Sequence, residues 1–263
     1  MDRIFYILSA LLLTTSVGLF AQTTITDGSL VANTDYTWET GQEYLLDGLV
    51  YLEEGGTLTI EPGVVIKAKS APTNGDNTSA LIITKGAQIF ANGTADMPII
   101  FTAEIDDVND PNDRDVNDDR GLWGGVIILG NATLATTDGT ASIEGIEEEP
   151  RTVYGGTNDT ESSGTMRYVS IRHGGKALTS NNEINGLTLG GVGSGTTLEY
   201  IEVISNADDG IEFFGGTVDL KYASVSFCDD DSFDYDFGWQ GSGQFWFSLT
   251  SDIGKCGRSG EHD

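Results

Sequence analysis

Basic residues are scarce in this sequence. The 263 residues include 13 Lys and Arg against 41 Asp and Glu, which gives a formal net charge of −28 at pH 7. Nucleic-acid phosphates and anionic membrane surfaces both attract basic faces, so a chain this acidic is a poor candidate for either. We therefore expect no nucleic-acid partner. Calcium ions or cationic partners fit the composition better.

Cysteine and proline are also rare, with 2 and 5 residues respectively. Cys228 and Cys256 could form one disulfide in an oxidising compartment, or each could be a small buried residue, but one pair cannot define a disulfide-built fold. Collagen is excluded because the 35 glycines show no triplet period, and disorder is excluded because 38% of the residues are hydrophobic. The core must therefore come from buried apolar side chains, in one large domain or two small ones.

Long hydrophobic runs are absent apart from one near the N-terminus. Arg3 precedes an apolar run over residues 4–13, and Ala21 is a suitable residue before a cleavage at Gln22. The alternative is a membrane anchor, but Ser9 and the polar residues at 14–16 interrupt the stretch. The sequence predicts a signal peptide over residues 1–21, a secreted or cell-surface protein, and no transmembrane segment in the mature chain.

Self-similarity is the most informative feature that is present. The segment 198–203 matches 220–225 at an offset of 22 residues, and the same offset places Asp208–Asp209 on Asp230–Asp231. A weaker copy begins at Met166, 32 residues before Leu198. In the N-terminal half, residues 58–68 match residues 81–91 at an offset of 23, and Val126 follows Leu81 by 45 residues, about two periods.

The repeat predicts a solenoid of strands. A period of about 22 residues is too short for helical-hairpin repeats, and apolar residues alternate within each unit, as strands require. We predict an all-β, right-handed parallel β-helix over residues 56–263, truncated at its C-terminus, with a cap or first strands over residues 22–55. Leu198 should stack on Leu220 and Tyr200 on Tyr222 as core ladders. An antiparallel sandwich is the alternative fold.

Four stretches carry a family resemblance, at residues 56–63, 120–125, 208–216 and 241–247. On these stretches the sequence resembles secreted right-handed parallel β-helix proteins of the pectin-lyase-like superfamily. It is similar more narrowly to a Bacteroidetes-type group of bacterial surface proteins. The resemblance implies secretion and a place at the cell surface. Chains of this group continue past a Gly-Glu-His-Asp stretch, whereas this one ends there, at Asp263.

Most catalytic signatures are missing from the sequence, including a nucleophile elbow, a phosphate loop and a zinc-binding His-Glu-x-x-His motif. Polygalacturonase-type enzymes of the same superfamily use an Asp-Asp pair and a Gly-His-Gly motif. Asp208–Asp209 resembles the pair, but His173 precedes it instead of following it. We expect His173 to be a turn residue on the solvent side.

The repeating acids are the better indication of chemistry. Asp208, Asp209, Asp230 and Asp231 should stack as two pairs on adjacent coils, where like charges repel. Three outcomes are open: solvated carboxylates on an outer face, protonated groups with raised pKa values as in a catalytic pair, or a calcium ion among the oxygens. The same residues are the alternative catalytic set.

A second acidic region spans residues 104–120. Asp113, Asp115 and Asn117 have the spacing that opens a calcium loop, but Asp118 stands where an EF-hand needs glycine. The region is therefore either a solvated insertion between coils or a calcium-ordered loop that forms a less favoured metal site.

The function predicted from the sequence is a secreted cell-surface β-helix protein, adhesin-like or glycan-binding, calcium-stabilised and non-enzymatic. The alternative is a polysaccharide lyase or hydrolase that uses the stacked aspartates. A polysaccharide or cell-surface glycan is the expected partner. The candidates for stacking on sugar rings, each of which could equally be a core residue, are Trp38, Trp123, Trp239 and Trp246.

Overall fold

Short β-strands joined by turns and insertions form the regular structure of this chain. The computed structural model describes residues 22–176, 183–252 and 256–262, so the predicted signal peptide lies outside the described residues. The strands, in chain order, are β1 (Gln22–Ile25), β2 (Asp35–Trp38), β3 (Glu43–Leu46), β4 (Leu49–Leu52), β5 (Thr57–Ile60), β6 (Val65–Ala68), β7 (Ala80–Ile83), β8 (Gln88–Asn92), β9 (Ile99–Ala103), β10 (Val126–Leu129), β11 (Ala141–Ser142), β12 (Val153–Tyr154), β13 (Gly164–Arg172), β14 (Leu187–Gly190), β15 (Thr197–Ile204), β16 (Ile211–Phe214), β17 (Asp219–Ser226), β18 (Phe233–Asp236), β19 (Gly243–Leu249) and β20 (Glu261–His262). A 3₁₀ turn at Pro150–Thr152 precedes β12. No helix among the described residues is long and apolar enough to span a membrane.

The strands stack coil on coil in parallel. One sheet has seven strands in the order β4-β7-β10-β14-β16-β18-β20. The other has eleven, with β1-β3-β6-β9-β13-β15-β17-β19 as its main path and β2-β5-β8 joining at β13. Every pair within these two sheets is parallel, and β11–β12 is antiparallel. The predicted parallel β-helix is confirmed, and β1 to β4, in the segment predicted as a cap or first strands, already pair with the coils above them.

Alternation along each strand produces the core. On β15, Leu198, Ile201 and Val203 are each at most 1% exposed. Leu198 pairs in register with Leu220 on β17 and with Met166 on β13, as the offsets of 22 and 32 residues predict. Like side chains therefore form continuous inward ladders, and each coil covers the apolar surface of the next.

The aromatic ladder lies outside the core, contrary to the prediction for Tyr200 and Tyr222. Tyr168, Tyr200, Tyr222 and Phe245 all have positive φ, between 49° and 61°, and bend the long strands at the same point of each coil. The bend turns their rings outward, where successive ring centroids lie 4.4, 4.5 and 4.9 Å apart. Tyr200 is 38% exposed and Phe245 is 60% exposed.

The register predicted for the N-terminal half is wrong. Leu58 pairs with Ile89, not with Leu81, because β5 stacks on β8. Leu81 lies between Val50 and Val126 on adjacent coils. Two consecutive strand–turn–strand units within one coil look alike in sequence, and the loop over 69–79 lengthens that coil beyond the simple period. Val126 is likewise one coil from Leu81 rather than two, because residues 104–125 are looped out.

An insertion covers the outer face of the seven-stranded sheet. Residues 130–163 carry the β11–β12 hairpin, which packs Ile143, Ile146 and Tyr154 against the outward side chains of the sheet. Ile127 and Phe214 belong to this second apolar cluster. The sheet is therefore buried on both faces where the insertion covers it. Polar side chains on the same outward face, such as Thr188 and Glu212, are shielded from solvent as well.

A candidate cation site of clustered carboxylates

The paired aspartates lie in the turns that lead into β16 and β18. The Asp231 N–H donates a 2.8 Å hydrogen bond to Asp209 Oδ1, and the Gly210 N–H donates to the Asp231 carbonyl at 2.9 Å. These bonds place the turn of one coil directly on the turn of the next, in the predicted 22-residue register. Carboxylate oxygens of Asp208, Asp209 and Asp230 all lie within 4.8 Å of one another.

Two acids on the strands extend the cluster. Glu212 on β16 pairs in register with Asp234 on β18, and both side chains are on the outward face. Their carboxylate oxygens and one of Asp209 also lie within 4.8 Å of one another. Three oxygens at such separations can share one hard cation, since calcium–oxygen bonds are ~2.3–2.6 Å long. Asp209 belongs to both groups and therefore stands at the centre of the cluster.

The cluster is covered rather than open to solvent. Asp209 is 9% exposed and Glu212 is 5% exposed, while Asp208 and Asp234 are half-buried and Asp230 is exposed. The amide Nδ2 of Asn185, in the segment before β14, donates to Glu212 Oε2. Burial of two adjacent acids, Asp209 and Glu212, is unusual because an uncompensated carboxylate loses its hydration.

Burial raises the pKa values of four carboxyls, those of Asp208, Asp209, Glu212 and Asp234, and neighbouring negative charges raise them further. The pKa of Asp209 rises to about 9 through burial and the Asp208 charge. Burial and the Asp209 charge raise the pKa of Glu212 to about 10. The pKa of Asp208 rises to about 7 and that of Asp234 to about 6, in both cases mainly through burial. Without a cation, the two central carboxyls would therefore be protonated at neutral pH.

None of the ion pairs that the structure describes includes an acid of the cluster. The described ion pairs nearest in sequence join Arg120 to Asp229 and Arg258 to Glu261, and neither includes any of the five acids. Acids outside the cluster add to its negative charge: Glu183 and Glu144 raise the pKa of Asp208, and Asp236 and Glu261 raise that of Asp234. In the described part of the chain, the site is thus a region of negative charge that no described ion pair neutralises.

The predicted set differs from this cluster at two points. Asp231 lies in register with Asp209 but is in neither carboxylate group, and its Oδ1 accepts the Arg258 backbone N–H. Glu212 and Asp234 were not predicted as site residues. Both fall on the same 22-residue offset as the aspartate pairs, and that offset is the signal that could have identified them.

The acidic insertion over 104–120 packs against the β-helix. Asp113 Oδ2 accepts hydrogen bonds from the Asp107 N–H and Arg114 Nε, and Asp115 Oδ1 accepts the Asn117 N–H. Asn117 Oδ1 accepts a 2.6 Å hydrogen bond from Ser251 Oγ. These hydrogen bonds order the loop. Asp113 and Asp115 are in neither of the two carboxylate groups described above, and the site at Asp113, Asp115 and Asn117 stays a prediction.

His173 is buried, contrary to its prediction as a solvent-side turn residue. It is 5% exposed, and its Nδ1 lies 2.6 Å from the Asp119 carbonyl oxygen. The prediction failed because the insertion over 104–120 folds back over the turn. His173 therefore anchors the insertion through a hydrogen bond.

The two cysteines are unbonded, and the four tryptophans lie in the core or pack against it. Of the two alternatives for the cysteines, the structure shows the unbonded one, since Cys228 and Cys256 are both free. Burial raises the pKa of the Cys228 thiol to about 12. Trp38 and Trp123 are buried, and the partly buried Trp239 and Trp246 pack against the same core. The indole N–H of Trp246 donates to the Leu220 carbonyl at 3.0 Å. Of the two alternatives for the tryptophans, sugar stacking or a place in the core, the structure supports the core.

Comparison with known proteins places the chain in a family. A family model described as a pectate-lyase-like β-helix domain matches residues 29–262. No curated protein matches the chain, and no solved structure matches it. The match covers most of the chain and includes the parallel coils and the carboxylate cluster described above. It also supports the predicted resemblance to the pectin-lyase-like superfamily. The chain therefore belongs to the family of pectate-lyase-like β-helix domains.

Proposed function

We propose that this protein is a calcium-stabilised, non-enzymatic β-helix that is exported and acts at the cell surface as an adhesin-like or glycan-binding module. The observation that carries the proposal is the convergence of carboxylate oxygens from Asp208, Asp209 and Asp230, none of which takes part in a described ion pair. The predicted signal peptide and the net charge of −28 support an extracellular, calcium-containing environment.

Electrostatics favours an ion between the coils. Two carboxylates ~5 Å apart repel by about 3 kcal/mol at an effective dielectric constant of ~20. A divalent cation reverses the sign of this interaction, and Asp208 and Asp209 on one coil would then be joined to Asp230 on the next. Asp is a short, hard ligand, and backbone carbonyls and water would complete the six to eight oxygens that calcium prefers.

The outer surface supports a binding role. The aromatic ladder of Tyr168, Tyr200, Tyr222 and Phe245 presents ring edges to solvent along the long strands, and Lys221 lies 5.1 Å from the Tyr222 ring centroid. Large exposed apolar side chains of this kind mark interaction surfaces on soluble proteins. The ladder is regular over four coils, which suits a polymeric ligand such as a polysaccharide.

Calcium should raise the melting temperature of the wild-type protein by several degrees relative to EGTA. Binding to the folded state alone stabilises it by about 2.7 kcal/mol at a hundredfold excess over the dissociation constant. The double variant Asp208→Asn/Asp230→Asn, which keeps the shape of both side chains, should gain clearly less than the wild type. Thermal melts in EGTA and in millimolar calcium measure the effect.

The matched control is Asp96→Asn/Asp138→Asn, which removes the same charge from two exposed positions outside the cluster. It should retain the full calcium effect. An equal calcium gain in the Asp208→Asn/Asp230→Asn variant would place the ion elsewhere, and no gain in the wild type would remove calcium from the proposal.

A polysaccharide lyase or hydrolase is the second candidate, because a carboxyl that holds its proton at neutral pH is suited to general-acid catalysis. The raised pKa of Asp209 favours it, whereas the cover over Asp209 and Glu212 opposes access of a polymer. If this candidate holds, the wild type will release reducing ends or unsaturated products from a panel of acidic and neutral polysaccharides, and Asp209→Asn will not. We expect no release from either protein.

A further inference from the structure

Two buried polar atoms beside the cluster have no hydrogen-bond partner. Asn185 is 1% exposed and Thr188 is 2% exposed, yet Asn185 Oδ1 and Thr188 Oγ1 are both unpaired in the structure. A buried polar atom that is left unpaired costs about 1–3 kcal/mol. Unpaired buried atoms need an explanation, and a bound ion that takes them as ligands is one such explanation.

Both atoms lie next to the second carboxylate group. Thr188 on β14 is the in-register partner of Glu212 on β16, on the outward face of the seven-stranded sheet. The Gly186 N–H donates to the Asp209 carbonyl, so the turn that contains Asn185 stacks on the turn that contains Asp209. The Asn185 Nδ2 donates to Glu212 Oε2, so the amide group that carries the unpaired oxygen lies against the second carboxylate group.

The charge of the cluster exceeds what one divalent ion can neutralise. Its carboxylates are Asp208, Asp209, Glu212, Asp230 and Asp234. With all five ionised, one divalent cation would leave three negative charges and two would leave one, and the charge of the buried Asp209 and Glu212 is tolerated only when it is compensated. The two groups of oxygens are distinct apart from Asp209, so each has its own place for an ion.

We propose that a second hard divalent cation binds between Glu212, Asp234 and Asp209, with Asn185 Oδ1 and Thr188 Oγ1 as neutral oxygen ligands. Asp209 then bridges the two cations with its carboxylate, as bridging carboxylates do in two-metal centres. This pair rests on the proposed calcium ion at Asp208, Asp209 and Asp230. The second ion explains the two unpaired oxygens and ties β14, β16 and β18 together.

The test is calorimetric titration of calcium chloride into chelator-treated protein. We expect two calcium ions per wild-type chain, and one per chain in Glu212→Gln/Asp234→Asn and in Asp208→Asn/Asp230→Asn. Thr188→Val preserves the shape of the side chain and should weaken one binding step while leaving the other unchanged. The control Asp96→Asn/Asp138→Asn should still bind two ions. Far-UV circular dichroism checks that each variant is folded, and Thr188→Val decides the question if a double variant is not.

The possible results separate the two proposals. One ion in the wild type, lost only in Asp208→Asn/Asp230→Asn, would overturn the second cation and leave the proposed function intact. One ion lost only in Glu212→Gln/Asp234→Asn would overturn both the first site and the bridged pair. No binding in the wild type would overturn both proposals. An unchanged titration of Thr188→Val beside a two-ion wild type would overturn the second site as proposed, because Thr188 Oγ1 is one of its ligands.

Discussion

In the absence of divalent cations, the free energy of unfolding should fall by several kcal/mol as the pH rises from about 5 to about 9. Carboxyls have pKa values of ~4 in the unfolded chain, whereas burial and like charge raise those of Asp209 and Glu212 to about 9 and about 10 in the folded protein. Between the two values the folded state binds more protons than the unfolded state, so stability decreases with rising pH. Urea unfolding in EGTA at a series of pH values measures this dependence.

Saturating calcium should weaken or reverse that pH dependence. The cation binds the ionised carboxylates, so protons leave Asp209 and Glu212 on binding, and calcium affinity rises with pH. Calorimetry in buffers of different ionisation enthalpy would report the released protons. A stability in EGTA that is flat or rising over this pH range would show that the cluster is solvated, and calcium binding without proton release would show that its carboxyls are already ionised.

Leu198→Asp should destabilise the protein by about 5 kcal/mol or more, since an unpaired carboxylate in an apolar core is among the most costly substitutions. Leu198 is 1% exposed and stacks between Met166 and Leu220 in the inward ladder. Small domains have a total stability of about 5–15 kcal/mol, so we expect the variant to be largely unfolded. Chemical unfolding followed by circular dichroism measures the loss.

The matched control for Leu198→Asp introduces the same residue on the outer face of the same sheet. Gln244 on β19 is exposed and pairs in register with Lys221, so Gln244→Asp places its charge beside a base. Its effect should stay within about 0.5 kcal/mol, as for most surface substitutions. Similar unfolding midpoints for the two variants would show that the inward and outward rows are wrongly assigned.

The C-terminal half of the fold could be predicted because its coils have nearly constant length. From Leu198 to Gly243, each inward position recurs after 22 or 23 residues, and the observed pairs follow this spacing. The N-terminal half has insertions between its coils, so identical local patterns no longer identify which strand pairs with which. Leu58 and Leu81 were matched by sequence, yet they belong to different rows of strands.

The site could be predicted in part for the same reason. Asp208 and Asp230 were found because the turn repeats, but the burial of the cluster depends on segments that lie outside the repeat. Asn185 before β14 and the hairpin over 130–163 cover the acids from other parts of the chain. The outward position of Tyr200 was missed because its positive φ reverses the usual alternation, and no residue pattern marks a left-handed tyrosine.

The insertion over residues 104–125 leaves and re-enters between strands, at the end of β9 and the start of β10, and the pairing register resumes after it. After residues 104–125, β10 still pairs with β7 without a shift, and after residues 173–186, β14 pairs with β10 in the same way. These junctions between strands are therefore places where sequence length can change during evolution without cost to neighbouring coils. A foreign epitope grafted at the exposed tip near Gly139, where an added Cβ would meet no atom within 4 Å, should be displayed without disturbing the scaffold.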